Sequence, residues 1–509
     1  MRLSGIFSNG MVLQRDVPCT IWGWEEHEAK VTASLEGNTF EAKVENGTFH
    51  IVLPAHEAAT DVTIEICGSE KIILSDVCFG DVFYLSGQSN MELPVYRTRD
   101  VSAEEIDASS YPYIRQYRVT PQWHMDEEEV AFLPELPWTK GEGSELEQMS
   151  AAGFFCAKRI YDQTKIPIGL VLGAQGGSTI EAWMPTRLLS EFGDFSDKIT
   201  PFMKEGALTE YLSEQEQKNA EWREHLCSED DQNYIRTIPE NTTDFSVPGM
   251  LLQKEGKGYC GIVWFFREVE LLEEPDEDAF LYLGNLIDAD QTFVNGTLVG
   301  RTEYRYPPRK YPFNGKILHK GINTITVRLL IENHNGGFVG AHPYYLETGK
   351  EHIPLRGSWK MKPGKTPEYF LRPGVRGQVV PTALYKTSVV PLREYSFRGM
   401  WWYQGESNCD QPEGYSEKFR KMIENWRELY QQKLPLICIE MCDYTDPVSG
   451  VTPLGWEEIQ AQQRQAQNDV PDCVVVSAKD LGAPLELHPQ KKSELGARMA
   501  EAAMKMYYS

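Results

Sequence analysis

The chain has 509 residues, of which 41% are hydrophobic, and its formal net charge is −25 at pH 7. A single hydrophobic core stops growing well short of this length, so the sequence predicts two to four domains with ample apolar material. Nucleic acids and anionic membranes are bound through basic patches, and the strongly acidic balance argues against both as partners.

The ten cysteines are scattered, and no two have the CxxC spacing of a zinc ribbon or a redox motif. This usage is typical of reduced thiols in the cytosol. The first five residues lack the charged and apolar regions of a signal peptide, which favours a cytoplasmic protein. A secreted or periplasmic location would require such a segment upstream. No apolar run approaches the ~18 residues that span a bilayer.

Residues 1–76 contain short segments of strand character that are separated by turn residues. The predicted strands lie at residues 11–13, 20–22, 30–33 and 62–66. Asn46-Gly47 is a typical hairpin turn. This part of the chain is therefore predicted to be a small β-sandwich-like domain.

From residue 77 the pattern changes to strands that alternate with helices. Apolar runs of strand length lie at residues 82–85, 168–172, 400–402, 436–439 and 473–476. Apolar residues at helical spacing lie between them, which predicts a parallel, doubly wound α/β sheet. We expect residues 77–205 and 363–509 to be its two halves.

Residues 206–362 interrupt that pattern with an acidic helical stretch and then dense strand signals. Strands are predicted at residues 261–265, 280–283, 292–296 and 323–328. The segment is therefore expected to be an all-β domain inserted between the two halves.

Ser89 follows the apolar run 82–85 within Gly-Gln-Ser-Asn-Met (87–91). In open α/β sheets the ligand crevice lies at the carboxyl ends of the strands. A lone serine in such a place is commonly a turn or capping residue. The functional interpretation therefore depends on three further segments of the same kind.

Each of these segments follows another strand of the predicted sheet. Residues 173–179 form a glycine-rich turn whose spacing is not GxGxxG, which disfavours a dinucleotide, although its backbone N–H groups would suit an oxyanion. Residues 402–408 place amides and a carboxylate at a strand end. His488 follows the last strand, where a base would face Ser89. Together these segments supply a nucleophile, a base and hydrogen-bond donors.

Other catalytic patterns are missing from the sequence. The nucleophile elbow G-x-S-x-G would require glycine where Met91 stands. Neither HExxH nor a Walker A motif occurs, so the sequence supports neither a metalloprotease nor an NTPase. We expect neither a metal nor another cofactor.

The four segments together resemble the sialate O-acetylesterase family of SGNH hydrolases. The motifs that carry this resemblance are Gly-Gln-Ser-Asn-Met (87–91), Gly-Gly-Ser-Thr-Ile-Glu-Ala-Trp (176–183), Trp-Tyr-Gln-Gly-Glu-Ser-Asn (402–408) and His488-Pro489. Residues 11–16 and 22–24 are similar to that family's opening β domain, so the resemblance covers nearly the whole chain. Residues 281–296 of the insert resemble the galactose-binding-like jelly rolls of glycosidases.

The resemblance implies an SGNH-type sheet and a serine esterase that removes O-acetyl groups from carbohydrate through an acetyl-serine intermediate. It implies Ser89 as the nucleophile and His488 as the general base. The backbone N–H groups of Ser89 and Gly177, with the side-chain amide of Gln404, would form the oxyanion hole.

One position departs from the superfamily pattern. An aspartate often stands three residues before the histidine, where this chain has Leu485. The group that orients the imidazole would then be Asp480, Glu486, Glu406 or a backbone carbonyl, and a Ser–His dyad is a further alternative. The sequence leaves this choice open.

Several other choices also stay open. Acetylated sialic acid and xylan-type glycans compete as substrates, and an anionic sialic acid would need a basic clamp such as Arg97 or Arg398. The acidic net charge slightly favours a neutral glycan. The alternatives in other classes are a non-catalytic carbohydrate-binding protein and a glycoside hydrolase, which needs two carboxylates that flank a sugar site. The acetyl position, the role of the insert and a homo-oligomeric state are left open.

Overall fold

The computed structural model describes residues 1–125, 133–251, 259–369 and 374–508. The first part of the chain is built from strands. They are β1 (Arg2–Leu3), β2 (Val12–Gln14), β3 (Cys19–Trp24), β4 (Lys30–Leu35), β5 (Asn38–Lys43), β6 (Thr48–Leu53), β7 (Ala59–Cys67) and β8 (Lys71–Gly87). Strands β1, β3 and β6 form one antiparallel sheet, while β4, β5 and β7 lead into β8.

Strand β8 is 17 residues long and belongs to two parts of the molecule. Its first half pairs antiparallel with β7, and its second half lies in the central α/β sheet. Burial changes from partly exposed before residue 77 to complete from there to Gly87, because both faces of the strand are then covered. The sequence boundary at residue 76 therefore falls inside one continuous strand.

The first half of the α/β region follows β8. Its elements are α1 (Ser89–Glu92), α2 (Arg99–Asp107), β9 (Tyr111–Arg118), β10 (Thr139–Gly141), α3 (Gly143–Leu146), α4 (Ala151–Thr164), β11 (Ile168–Leu172), α5 (Thr186–Leu189), α6 (Ser196–Ile199) and α7 (Ala207–Ser228).

The insert then contributes a run of strands. They are β12 (Thr243–Val247), β13 (Gly249–Met250), β14 (Tyr259–Leu271), β15 (Asp278–Ile287), β16 (Ala289–Val294), β17 (Thr297–Thr302), β18 (Pro308–Asn314), β19 (Gly321–His334), β20 (Gly337–Glu347), β21 (His352–Pro354) and β22 (Gly357–Pro363). They form a six-stranded and a five-stranded antiparallel sheet, and residues such as Phe265 and Leu281 from the two sheets share one hydrophobic cluster. The dense strand signals of this segment thus correspond to two antiparallel sheets that share one core.

The chain then returns to the α/β region. The remaining elements are β23 (Gly399–Tyr403), α8 (Tyr415–Tyr430), β24 (Leu436–Glu440), α9 (Trp456–Asp469), β25 (Cys473–Ser477) and α10 (Lys492–Tyr507). The central sheet has the order β10-β9-β11-β8-β23-β24-β25, and every neighbouring pair is parallel except β10 with β9.

Alternate residues of β8 face opposite sides of this sheet. Phe83 and Leu85 pack in the cluster that includes α4 and α10, whereas Tyr84 packs in the other cluster, against Trp426 of α8. This is the period-two pattern of a strand that is covered on both faces. Within the described residues, no helix combines the length and the apolar character needed to cross a membrane.

Candidate active site

Ser89 and His488 lie together at the carboxyl edge of the central sheet. Ser89 follows the central strand β8, and His488 lies in the segment 478–491 between β25 and α10, which we call the base loop. His488 Nε2 is 2.8 Å from Ser89 Oγ, a hydrogen-bond distance, although the two residues are 399 positions apart in the chain. The pair predicted from the strand ends is therefore brought into contact.

Gly87 makes the turn into Ser89 feasible. Its φ is +122°, a region that side chains disfavour. A Cβ at this position would lie 2.2 Å from the carbonyl oxygen of Tyr403 on the neighbouring strand β23. Glycine is thus required here, because the strand must pass close to its neighbour and turn before presenting the hydroxyl.

The surroundings of His488 keep its imidazole neutral. Burial lowers the pKa of His488 to about 3, and the cationic side chains of Arg97 and Lys492 lower it further. At neutral pH the ring therefore carries one proton, and its free nitrogen can accept another. If Nε2 is to take the proton of Ser89, that single proton must reside on Nδ1.

None of the three candidate acids reaches the imidazole. Asp480 is exposed and makes two hydrogen bonds to Arg498, at 2.6 and 2.7 Å. Glu486 lies 3.5 Å from Nε2 of His342, and burial raises the pKa of Glu486 to about 7. Within the described parts of the chain, no carboxylate lies at hydrogen-bond or ion-pair distance from His488. A Ser–His dyad remains from the alternatives of the sequence, because the His488 ring also makes no hydrogen bond to a backbone carbonyl within the described residues.

Glu406 instead belongs to a buried network beside the nucleophile. Asn90 Nδ2 donates to Glu406 Oε1 at 2.6 Å and to the carbonyl oxygen of Leu487 at 3.1 Å. Lys492 Nζ donates to Asn90 Oδ1 at 2.8 Å. We call Asn90, Glu406 and Lys492 the base-side network, because it contacts the base loop one residue before His488.

The glycine-rich turn predicted to hold an oxyanion does lie beside Ser89. A Cβ on Gly176 would be 3.5 Å from Ser89 Cβ, and the Gly176 N–H donates to Glu92 Oε2 at 2.7 Å. Gly177 has a φ of +72° and is half-buried. The backbone N–H groups of Ser89 and Gly177 have no acceptor among the described residues, so both are available to a ligand.

Gln404 is the one predicted oxyanion donor whose placement differs from the expectation. Its Nε2 donates one hydrogen to the carbonyl oxygen of Ser178 at 3.0 Å and the other to Asn408 Oδ1 at 2.7 Å. Its Oε1 accepts from the Tyr415 hydroxyl at 2.8 Å, and the residue is fully buried. Since both amide hydrogens are already donated, the structure presents Gln404 as a brace beneath the turn and not as an oxyanion donor.

Asn408 continues this brace into a second buried cluster. Asn408 Nδ2 donates to Glu181 Oε2 at 3.0 Å, and Lys418 Nζ donates to Glu181 Oε1 at 2.7 Å. We call Gln404, Asn408, Glu181 and Lys418 the oxyanion-side network. Burial opposes the charge of Glu181, but the adjacent ammonium of Lys418 outweighs it and lowers the pKa of the carboxyl.

A cleft of about 660 Å³, partly open to solvent, lies against His488. The inserted β domain forms one of its walls. The ring of Tyr306 meets the ring of His488 edge-on, with centroids 5.2 Å apart, and Arg305 and His342 of the insert also line the cleft. Nothing in the sequence signals these three residues, since their position depends on how the insert packs against the α/β region.

The two proposed basic clamps lie at different ends of the sheet. Arg97 lines the cleft, and its Nη2 donates to the carbonyl oxygen of Tyr306 at 3.2 Å. Arg398 precedes the first residue of β23, where its backbone N–H donates to the carbonyl oxygen of Val82. The expectation for Arg398 is wrong, because that end of the strand is opposite to the end that carries Ser89. Over the described ranges, no group of three or more His, Cys, Asp or Glu side chains is placed to hold a metal ion.

A known protein family matches the chain on both sides of the insert. A family described as carbohydrate esterase, sialic acid-specific acetylesterase, matches residues 79–225 and 376–505, together more than half of the chain. The chain belongs to this family. The two matched segments contain Ser89, Gly177, Gln404 and His488 and omit most of the inserted β domain.

Two sialate O-acetylesterases are similar to this chain at low sequence identity. It is 29% identical to the human sialate O-acetylesterase over 211 residues, which are 38% of this chain and 40% of the relative. It is 26% identical to the rat sialate O-acetylesterase over 340 residues, which are 60% and 59% of the two chains. The chain thus matches about two-fifths of the human relative's length and three-fifths of the rat relative's.

One solved structure shares the fold over almost the whole chain. A carbohydrate acetylesterase from Xanthomonas citri superposes with a TM-score of 0.59 and 19% identity, covering 99% of this chain and 75% of that one. At this identity the likeness shows the fold alone. It extends through the insert, so the interrupted arrangement of the α/β region occurs in both molecules.

Proposed function

We propose that this protein is a serine esterase that removes O-acetyl groups from carbohydrate. The observation that carries the proposal is the 2.8 Å contact between Ser89 Oγ and Nε2 of a neutral His488 at the edge of the sheet. Membership of a carbohydrate esterase family supports the same chemistry.

The reaction would proceed through an acetyl-serine. His488 Nε2 accepts the proton of Ser89 as the hydroxyl oxygen attacks the acetyl carbonyl carbon. The tetrahedral oxyanion accepts hydrogen bonds from the backbone N–H groups of Ser89 and Gly177. Collapse breaks the bond to the sugar oxygen, which leaves with the proton from His488. A water then attacks the acetyl-serine with His488 again as base, and acetate and the free serine result.

The finer fold is part of the proposal. We assign the α/β region to the SGNH type of doubly wound sheet and the insert to the galactose-binding-like jelly rolls. The parallel strand order with a hydrophobic cluster on each face supports the first assignment, and the two stacked antiparallel sheets support the second. The proposed domain ranges are 1–76, 77–205, 206–362 and 363–509.

Acetylated sialic acid is the substrate that we propose to test first. The named relatives are sialate O-acetylesterases. Arg97 lines the cleft, and within the described residues no carboxylate pairs with it, so its guanidinium is available for an anionic sugar. The acidic Asp446 and Glu486 line the same cleft, so its charge is mixed. A neutral acetylated xylo-oligosaccharide is the competing substrate.

Acetate release from both substrate classes tests the proposal directly. We expect the wild-type protein to release acetate without releasing reducing sugar, and Ser89→Ala to lose about 10⁴-fold or more of kcat. Ser34→Ala, on strand β4 of the first domain, is the matched control and should retain activity.

Labelling by a fluorophosphonate gives a readout that does not depend on the sugar. Mass spectrometry should place the label on the peptide that contains Ser89. A protein that binds acetylated glycan but neither turns it over nor accepts the label would instead be a carbohydrate-binding protein, the alternative from the sequence. Release of reducing sugar without acetate would indicate a glycosidase.

A further inference from the structure

A single side chain connects the nucleophile to the base through their immediate neighbours. Asn90 follows Ser89 in the chain, and Leu487 precedes His488. The side-chain amide of Asn90 donates to the carbonyl oxygen of Leu487 at 3.1 Å. The segments that carry the two reacting groups are thus bonded to each other one residue away from the chemistry.

We propose that Asn90 is a positioning residue that holds His488 at hydrogen-bond distance from Ser89, a task for which serine hydrolases commonly use a carboxylate on the imidazole. The inference builds on the proposed esterase function and concerns how its base is oriented. It follows from two observations: the candidate acids do not reach His488, and the backbone of the base loop is tethered by Asn90.

The partners of Asn90 fix the direction of its amide. Oδ1 faces the ammonium of Lys492, which is a donor only, while Nδ2 faces Glu406 Oε1 and the Leu487 carbonyl, which are acceptors. A flipped amide would set donor against donor and acceptor against acceptor. Asn90 and Lys492 are each only 1% exposed, so water cannot replace a lost bond. The tether therefore has one arrangement.

Lys492 has a second effect, on the charge of the base. Its ammonium is one of two cations, with Arg97, that lower the pKa of His488 beyond the effect of burial. The other titratable groups around His488 include Glu406 in the base-side network and Glu486, His342, Asp446, Arg305, Tyr306 and Tyr444 of the cleft. Removing Lys492 takes away a positive charge, so the imidazolium becomes easier to form and the pKa of His488 rises.

The first experiment compares Asn90→Ala with a matched control. A displacement of about 1 Å in a reacting group can cost about 10²-fold in rate, so we expect kcat to fall by about 10²-fold while KM changes little. Fluorophosphonate labelling of Ser89 should slow by a similar factor. The control is Asn323→Ala in the insert, since Asn323 is also fully buried and makes four side-chain hydrogen bonds. It should lower Tm without changing kcat of the folded protein.

The second experiment reads the pH profile of kcat/KM. In the wild type we expect the acid limb well below pH 6.5, the ordinary pKa of histidine. Lys492→Met should move this limb toward higher pH. Lys158→Met removes a half-buried lysine of α4 that pairs with Glu105 and should leave the limb in place.

Two outcomes would overturn the inference. One is an Asn90→Ala protein with unchanged kcat; the other is a crystal structure of that variant in which His488 Nε2 still lies 2.8 Å from Ser89 Oγ. The structure decides the question even if the wild type releases no acetate. An inactive wild type whose Ser89 resists labelling refutes the proposed function, whereas an active wild type matched by Asn90→Ala refutes only the role of Asn90.

Discussion

The base-side and oxyanion-side networks contain the same three residue types in different order. Each contains a glutamate, an asparagine and a lysine. On the oxyanion side Lys418 contacts Glu181 directly, and Asn408 satisfies the other carboxylate oxygen. On the base side Asn90 stands between Lys492 and Glu406, and the buried Glu406 Oε2 has no hydrogen-bond partner among the described residues.

This difference in order reverses the direction in which the pKa of the glutamate carboxyl is shifted. The direct ion pair overcomes burial, so the pKa of Glu181 is lowered and the group stays ionised. Burial raises the pKa of Glu406, and the hydrogen bond from Asn90 and the more distant charge of Lys492 offset this only in part. With an amide between the opposite charges the pKa of the carboxyl stays raised, whereas direct contact with the ammonium lowers it.

The largest expected effect comes from breaking the direct pair. Lys418→Met leaves the carboxylate of Glu181 buried without its counterion, a change that typically costs about 3–5 kcal/mol of the free energy of unfolding. Lys492→Met should cost less, because the Lys492 ammonium donates to Asn90 Oδ1 and it is Asn90 that donates to Glu406. Chemical denaturation of both variants at pH 7 measures the difference. Equal losses would mean that the order of the residues in the two networks does not matter.

The sequence predicts which residues lie at the active-site edge of the sheet, but it does not predict the direction of their side chains. The strand ends of the α/β pattern predict the meeting of Ser89 and His488, because carboxyl ends of parallel strands share one edge. The same logic places Gln404 at that edge but says nothing of where its amide points. Asn90 lies in the Gly-Gln-Ser-Asn-Met motif, but neither that motif nor the position of Lys492 at a helix start indicates the contacts of these two side chains.

Long-range packing accounts for the remaining differences. Tyr306 lies more than 180 residues from His488 in sequence, and only the docking of the insert brings the two rings together. The boundary at residue 76 falls within β8 because a strand can pass from one sheet to another without any turn residue to mark the change. Arg398 lies at the edge of the sheet opposite to Ser89, because it precedes β23 and Ser89 follows β8.

The variant Gln404→Ala tests whether Gln404 supports the glycine-rich turn as a brace or donates to the oxyanion. Loss of a direct oxyanion donor typically lowers kcat by about 10²–10³-fold with little effect on stability. The structure leads us to expect the opposite: a loss of about 1–3 kcal/mol in the free energy of unfolding, because Tyr415 and Asn408 lose buried partners, and a fall in kcat of less than about tenfold. Paired measurements of Tm and of kcat per folded molecule check this. A stable variant with a large fall in kcat would return Gln404 to the oxyanion hole.

The smallest expected effect concerns the pH dependence of stability. It compares the carboxyls of Glu181 and Glu406 directly. The folded-state pKa of Glu181 is lowered, so its contribution is present above the unfolded pKa and lost as the pH falls through the folded value. The folded-state pKa of Glu406 is raised, so its contribution is present below the unfolded pKa and lost as the pH rises through the folded value. Glu181→Gln should therefore flatten the rise of stability with pH on the acid side of about pH 4.3, the ordinary value for glutamate. Glu406→Gln should flatten a fall on the alkaline side of that value. Denaturation curves across the pH range for the two variants and the wild type decide it, and slopes of the same sign would show that the pKa values of the two carboxyls shift in the same direction.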